Sequence, residues 1–192
     1  MSLVLHTERL LLRHWDESDL EPFAELNADA EVMQYFPSPL ERRESDEMAH
    51  RIIGQFAERG FGLWAVEFEG RFAGYTGLFG SSLPMPLGDH VEVGWRLARW
   101  AWGRGIATEA ARAALADGVD RCGVRRVYSY TTRTNSRSEA VMVRLGMIRR
   151  HDLDFDHPRT VGWWGARHIV YSWDPPGPVA RAATAEVSAD ES

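Results

Sequence analysis

The feature that most constrains the fold of this chain is a glycine-rich turn between a strand-like run and a long amphipathic segment. The turn is Trp102-Gly103-Arg104-Gly105-Ile106-Ala107-Thr108. Glycine has no β-carbon and lets the backbone approach a ligand closely, and the first N–H groups of a helix have no partner within that helix. The turn therefore predicts a cradle for an anion, and a pyrophosphate fits it well.

Two common phosphate-binding patterns do not fit this turn. A phosphate loop of the nucleoside-triphosphatase kind needs a lysine and then a serine or threonine after the last glycine, whereas Ile106 and Ala107 follow Gly105. A dinucleotide fingerprint needs a third glycine near Thr108 and an acidic residue at the end of the next strand, where Tyr130-Thr131-Thr132-Arg133 stands. A nicotinamide or flavin enzyme is therefore disfavoured.

Three further blocks accompany the turn in a fixed order. Val91 to Leu97 precede it, Asn135-Ser136-Arg137-Ser138 follow it, and Arg144-Leu145-Gly146-Met147 come next. In order and spacing these blocks resemble the GNAT superfamily of N-acetyltransferases. The motifs Trp-Gly-Arg-Gly and Asn-x-x-Ser are most similar to those of the subgroup that includes the ribosomal-protein N-terminal (Rim-type) acetyltransferases. The resemblance covers about Leu5 to Asp174.

The hydrophobic pattern predicts one α/β (α+β) domain. A chain of 192 residues with ordinary apolar content can bury one substantial core. The predicted order β-α-α-β-β-β-α-β-α-β-β favours a mixed, mostly antiparallel sheet with helices on both faces, and the resemblance implies that a central strand pair splays apart. We expect a single domain over 1–174. Residues 175–192, dominated by proline, glycine, alanine and acids, predict a disordered tail.

Periodicity and capping signals place the elements along the chain. Ser18 with Glu21 predicts a capping box for the first helix, Ser38 is expected to cap the second, and Glu69-Gly70 predicts a tight hairpin turn. The predicted strands cover 9–13, 61–68, 72–79, 91–97, 126–130, 147–155 and 168–173, and the predicted helices cover 18–27, 39–59, 106–122 and 138–145.

Charge and cysteine usage exclude several classes of protein. The net charge is −6 and the arginines are scattered among acids, which argues against a nucleic-acid partner. The lone Cys122 cannot form an internal disulfide, and no apolar run is long enough to span a bilayer. We expect a cytoplasmic protein with no membrane partner. His151 and His157 are expected at opposite ends of one strand, too far apart to share a metal ion.

The resemblance also implies where acetyl-CoA (coenzyme A) would bind. Backbone groups of Leu97 and Arg99 would pair with the pantetheine arm, and the amides of Arg104 to Thr108 would hold the pyrophosphate, with the guanidinium of Arg99 or Arg104 adding charge. Asn135 would order the pantetheine amide, cap the following helix, or both. Trp102 stands where the broader family often has glutamine or arginine, and we expect it to pack beneath the loop.

Acetyl transfer to an amine requires a base, a polarised thioester and a proton for the leaving thiolate. Glu92 alternates with two valines on a strand, which places it on the opposite face, and the resemblance implies an acid there. The other interpretation of Glu92 is a solvent-facing strand carboxylate, and His90 is a second candidate base. A strand N–H near Trp95 or Leu97 would polarise the carbonyl.

For the departing thiolate, many relatives use a tyrosine in the helix that follows the asparagine. This chain has none between Asn135 and Leu145, and Ser138 occupies the matching region. A serine is a weaker proton donor than a phenol, so Ser138 is expected mainly to hold the sulfur.

The resemblance places the acceptor pocket at Phe36, Trp64, Trp163 and Trp164, with carboxylates such as Glu31. Such a pocket suits a cationic amine, whether a small molecule or a protein amino terminus. The adjacent tryptophans fit a core plug, an acceptor-site wall or a homodimer contact equally well. A non-catalytic coenzyme A sensor on the same fold is the alternative function.

Overall fold

Nine strands and four α-helices make up residues 3–175, the part of the chain that the computed structural model describes. The strands are β1 (Val4–His6), β2 (Leu10–Arg13), β3 (Leu63–Phe68), β4 (Arg71–Ser81), β5 (His90–Leu97), β6 (Val127–Thr132), β7 (Ile148–Arg149), β8 (Phe155–Asp156) and β9 (Arg167–Trp173). The α-helices are α1 (Leu20–Ala28), α2 (Arg42–Arg59), α3 (Ile106–Cys122) and α4 (Ser136–Arg144). The disordered tail expected from residue 175 lies outside the described residues from 176 onward.

The strands form one mixed sheet in the order β1-β2-β3-β4-β5-β6-β9-β7, and β8 also pairs with β9. Pairing within residues 3–175 is antiparallel except between β5 and β6, which are parallel and register at Glu92 and Tyr128. In contrast, β4 and β5 register along eight pairs, from Gly74–Leu97 to Ser81–His90. The mostly antiparallel sheet and the splayed central pair are confirmed.

Helices cover both faces of the sheet, as predicted. On one face, α1 and α2 contribute Phe23 and Ile52 to a core that includes Ala65 and Tyr75 of β3 and β4. On the other face, α3 and α4 bury apolar residues against alternate positions of the same sheet, including Val93. This alternation gives β5 one face towards α3 and one towards the α1–α2 side.

The beginnings of the first two helices differ from the prediction. Asp16, not Ser18, forms the first capping box, because its carboxylate accepts a hydrogen bond from the Ser18 amide at 2.8 Å. This box opens a 3-10 helix that leads into α1. For α2, the box is formed by Glu41 and Glu44. Ser38 lies in the irregular segment before α2, so its prediction as a cap was wrong.

The closing strand of the prediction, 147–155, is interrupted in the structure. A 3-10 helix occupies 151–153, and only short β7 and β8 remain on either side of it. The reason lies in Asp154, whose carboxylate accepts a hydrogen bond from the Val170 amide at 3.2 Å and pairs with Arg149 at 2.5 Å. The Asp154 side chain thus accepts a hydrogen bond from the β9 backbone that a backbone carbonyl would accept in a continuous strand pair. Between residues 3 and 175, no helix has the length and apolarity needed to cross a membrane.

Candidate active site

The glycine-rich turn forms the start of α3. Gly105 is the N-cap with φ 78°, a left-handed backbone that strongly favours glycine, and its carbonyl accepts the amides of Thr108 and Glu109 at 3.1 Å each. The Thr108 amide is therefore used within the turn. The preceding amides of Ile106 and Ala107 belong to the first helical turn, whose N–H groups have no helical acceptor. These amides can hold an anion.

A cavity of about 490 Å³ opens beside this turn. It is lined by Glu8, Arg9, Gly105, Thr108, Glu109, Arg112 and Arg144. Arg9 is fixed there, since its guanidinium donates to Glu109 at 2.6 Å and to the Arg104 carbonyl at 3.0 Å. Arg112 and Arg144 supply positive charge to the cavity, whereas the charge of Arg9 is matched by Glu109. Arg9 was missed by sequence reasoning, because nothing in a first strand signals contact with a loop far along the chain.

The two arginines expected to help bind phosphate have acidic partners instead. Arg99 donates from Nε to Asp29 at 2.6 Å and from Nη1 to Glu31 at 2.5 Å. Arg104 lies 3.5 Å from a Glu69 carboxylate oxygen. The Arg99 guanidinium is therefore directed to the segment that follows α1. Glu31, expected as a free carboxylate of the acceptor pocket, is neutralised by the same pair.

Trp102 joins the glycine turn to β5. Its indole N–H donates to the Leu97 carbonyl at 2.8 Å, and its ring lies 4.4 Å from the Arg137 guanidinium carbon of α4. The Leu97 carbonyl, expected to be free for the pantetheine arm, is thus engaged within the protein.

Glu92 lies at the point where β5 and β6 part. Only 7% of its surface is exposed, and its Oε2 has no hydrogen-bond partner among the described residues. Burial raises the pKa of Glu92 to about 8, and the Tyr130 hydroxyl on β6 acts in the opposite direction by favouring the charged form. The interpretation of Glu92 as a solvent-facing carboxylate was wrong.

His90 lies on the same strand face, two residues before Glu92. Its Nδ1 is 2.7 Å from the Gly88 carbonyl and must carry the proton, because a carbonyl only accepts. Its Nε2 is buried without a partner in residues 3–175. The imidazole packs edge-on against Tyr128 and Tyr130, with ring centroids 5.7 and 6.1 Å away. The His90 ring therefore lies within an aromatic cluster, with its Nε2 buried.

Asn135 caps α4 and contacts Ser138. Its side-chain oxygen accepts the Ser138 amide at 3.2 Å, and its Nδ2 donates to Ser138 Oγ at 3.2 Å and to Thr131 Oγ1 at 2.9 Å. The structure thus supports the helix-cap interpretation of Asn135. The same contacts hold the Ser138 hydroxyl in place.

The four residues expected in the acceptor pocket do not all come together. Trp64 is 1% exposed within the core beneath α3, so its assignment to the pocket was wrong. The burial of Trp64 could not be predicted, because both faces of β3 are apolar and the sequence alone does not tell which face lies under which helix. Phe36 is exposed before α2, while Trp163 and Trp164 form a pair 5.0 Å apart in the loop before β9, with Trp164 65% exposed.

Sequence reasoning also missed Arg96 of β5. It is 8% exposed, donates from Nη1 to the Asn27 side-chain oxygen at 2.5 Å, and places its guanidinium carbon 4.1 Å from the Phe36 ring. Arginine in a half-buried strand ordinarily indicates a solvated edge, so the sequence carries no signal for this burial. Arg96 and Glu92 lie on the same face of β5.

A sheet parted at a parallel strand pair, with a glycine-capped helix beside the gap and a buried carboxyl at its apex, is the arrangement expected from the resemblance to the GNAT superfamily. Residues 9–148 match the model of the acetyltransferase (GNAT) domain, and the chain therefore belongs to the GNAT acetyltransferase family.

The chain is also similar to several individual proteins, and the solved structures among them share its fold. The uncharacterized protein YkkB of Bacillus subtilis is 29% identical over 174 residues, which covers 87% of this chain and 93% of that protein. A GNAT-family acetyltransferase from Bacillus anthracis superimposes with a TM-score of 0.74 at 22% identity, over 90% of this chain and 98% of that one. RimL, a ribosomal L7/L12 alpha-N-protein acetyltransferase solved with coenzyme A, gives a TM-score of 0.72 at 17% identity, over 90% and 98%.

Proposed function

We propose that this protein is an acetyl-CoA-dependent N-acetyltransferase that moves an acetyl group directly to a primary amine, of a small molecule or a protein amino terminus. The observation that carries the proposal is the burial of Glu92 where β5 and β6 part. A carboxyl group at this point, with a pKa raised to about 8, has the properties of a general base for an amine.

The residues at the start of α3 fit the pyrophosphate of the coenzyme. The free amides of Ile106 and Ala107, next to the left-handed Gly105, supply donors, and Arg112 and Arg144 supply positive charge around a cavity of about 490 Å³. When bound, acetyl-CoA supplies the acetyl thioester. RimL, which shares this fold, has been solved with coenzyme A, which supports coenzyme A as the ligand.

Glu92 would remove the proton from the acceptor amine. An α-amino group has a pKa of roughly 7.7 to 8.0, close to the value of about 8 that burial gives Glu92. Proton transfer between groups of matched pKa is nearly balanced, which favours efficient general-base catalysis. The Tyr130 hydroxyl would stabilise Glu92 when it is charged.

Ser138 would hold the departing sulfur by a hydrogen bond from its hydroxyl, and water would supply the proton. Asn135 donates its Nδ2–H to Ser138 Oγ at 3.2 Å, so the oxygen is already an acceptor and its own O–H remains free to donate. Serine is less acidic than the tyrosine that many relatives use, and we expect its contribution to be moderate.

The same fold could serve a coenzyme A sensor without catalysis. The chain has no tyrosine in α4, which favours this alternative. A sensor, however, gains nothing from a buried carboxyl with a raised pKa, because burial of such a group costs stability. Glu92 therefore favours the enzyme.

We also propose that residues 1–174 form one domain, a view supported by the sheet path that runs from β1 to β9 without a break. Limited proteolysis tests it, with a single resistant fragment expected and two independently stable fragments contradicting it.

The function is tested by calorimetric titration with acetyl-CoA beside a thiol-release assay on a panel of small amines and amino-terminal peptides. Binding with amine-dependent thiol release is the expected result and identifies the acceptor class. Binding without release for any amine favours the sensor. Absence of binding contradicts the assignment of the glycine-rich turn at Gly105 as the coenzyme A site.

A further inference from the structure

Arg96 carries a buried positive charge with no acidic partner in residues 3–175. We propose that Arg96 binds a carboxylate of the acceptor, so that the acceptor is a free amino acid or a close analogue that presents its amine towards Glu92. This inference rests on the proposed acetyl transfer to an amine at that site.

The surroundings of Arg96 supply stacking and one neutral hydrogen bond. Its guanidinium carbon lies 4.1 Å from the Phe36 ring and 5.6 Å from the Tyr75 ring, and Nη1 donates to Asn27 at 2.5 Å. Its Nε is buried and has no acceptor among the described residues. A buried guanidinium is normally paired with an anion, since an uncompensated buried charge is costly. Arginine offers a planar fork that matches a carboxylate.

The acids that could neutralise Arg96 from nearby elements are used elsewhere. Asp29 and Glu31, in the segment that leads to Phe36, both pair with Arg99 at 2.6 and 2.5 Å. Glu92, on the same strand face, is uncharged at neutral pH because burial raises its pKa to about 8. The α1–α2 side of β5 therefore carries an unmatched positive charge.

Between Arg96 and Glu92, this face of the sheet carries two glycines and the ring of Phe79, which lies over Gly94: a β-carbon on Gly94 would come within 3.1 Å of that ring. The register pairs Tyr75 with Arg96, then Gly77 with Gly94, then Phe79 with Glu92. Directly opposed residues of antiparallel strands share a face, so two glycines lie side by side between the charged groups. A β-carbon on Gly77 would lie 2.2 Å from the Gly62 carbonyl oxygen, so this position is closed to any larger residue.

The span fits a small bifunctional ligand. Four residues of strand separate the two Cα atoms by roughly 13 Å, and the long side chains of Arg96 and Glu92 shorten the gap between their polar ends. Both groups act on the Tyr75 hydroxyl: the pKa of Tyr75 is raised mainly by burial, lowered by Arg96 and raised by Glu92. The Arg96 guanidinium carbon lies 5.6 Å from the Tyr75 ring, so an acceptor that packs on Tyr75 and Phe79 can present its carboxylate to Arg96 and its amine towards Glu92.

The test compares matched pairs of acceptors. Thiol release from acetyl-CoA is measured with each free amino acid and with its carboxamide, which keeps the amine and lacks the carboxylate. We expect the native protein to prefer the free acid by about tenfold or more in kcat/KM. Arg96→Gln should abolish this preference by lowering only the rate with the acid, and Arg96→Lys should restore part of it, since it keeps the charge without the fork. Arg71→Gln serves as the control, because Arg71 stacks on Trp100 at 4.4 Å and is exposed at the β3–β4 turn.

Equal rates with acid and carboxamide in the native protein, or equal losses with both in Arg96→Gln, would overturn the inference. The proposed function would still stand in that case, since transfer to amines would have been seen. If no acceptor reacts, the melting temperature decides: stabilisation by amino acids but not by their carboxamides, lost in Arg96→Gln and partly kept in Arg96→Lys, supports the anion site. Absence of such stabilisation overturns it.

Discussion

Glu92 and Tyr128 face each other where β5 and β6 meet in register, and beyond this pair the two parallel strands separate. The position fixes a carboxyl group at the apex of the gap, where backbone groups are left without a neighbouring strand. Only 7% of Glu92 is exposed there. Glu92 is thus buried at the edge of the gap between β5 and β6, where its carboxylate can take a proton from a ligand bound in that gap.

The rate of transfer should increase with pH through the pKa of Glu92, about 8, because only the charged carboxylate can accept a proton. Tyr130→Phe should move the midpoint to higher pH, since the Tyr130 hydroxyl favours the charged form. The measurement is kcat/KM against pH for both proteins. Tyr128→Phe is the control, because the Tyr128 hydroxyl interacts with Arg126. An unchanged midpoint in Tyr130→Phe would contradict this role.

Glu92→Gln should make the protein more stable at alkaline pH. The folded pKa is raised, so the stability that a neutral Glu92 contributes is complete below the unfolded value of 4.5 and is lost as pH rises to about 8. Relative to the Glu92→Gln variant, the native protein should lose roughly 5 kcal/mol over that window. Urea unfolding at both ends of the window measures it. A stability difference that is independent of pH would show that Glu92 is not buried in its neutral form.

Gly105→Ala should weaken acetyl-CoA binding by about tenfold, because a β-carbon strains the left-handed N-cap and disturbs the amides around the anion. The matched control is Gly123→Ala at the end of α3, where φ is also left-handed at 66°. Both changes should cost stability, and only the first should change the dissociation constant in calorimetry. Equal affinities for the two variants would place the coenzyme elsewhere.

Asn135→Ala and Ser138→Ala should separate structure from chemistry. The first removes a helix cap and should lower the free energy of unfolding by about 1 kcal/mol, together with activity. Loss of the Ser138 hydroxyl should lower kcat by about tenfold with little change in stability. Denaturant unfolding and steady-state rates distinguish them. A Ser138→Ala protein with native kcat would show that the Ser138 hydroxyl does not assist the departing sulfur.

Much of the fold followed from local pattern. Glu69-Gly70 forms the predicted hairpin turn, both residues having positive φ, and Gly60 and Gly123 end their helices with left-handed caps. These features depend on a few adjacent residues. The helix starts were less predictable because Asp16 and Glu41 form the caps, although serines, which are also good N-cap residues, stand nearby.

The site was predictable where a local pattern defines it, and unpredictable where distant elements meet. The turn at Gly105 and the face of Glu92 came from spacing and alternation. Trp64 was misplaced and Arg96 was missed, because the covering of each strand face depends on how α1, α2 and α3 pack. The pairing of Arg99 with Asp29 likewise joins residues far apart in the chain.

The most direct test of the central claim is a side-by-side measurement of kcat and acetyl-CoA affinity for the native protein and Glu92→Gln. A general base contributes about 100-fold or more, so kcat should fall by that factor while the dissociation constant for acetyl-CoA stays unchanged. A variant with native kcat, or one that loses acetyl-CoA binding together with activity, would contradict Glu92 as the base.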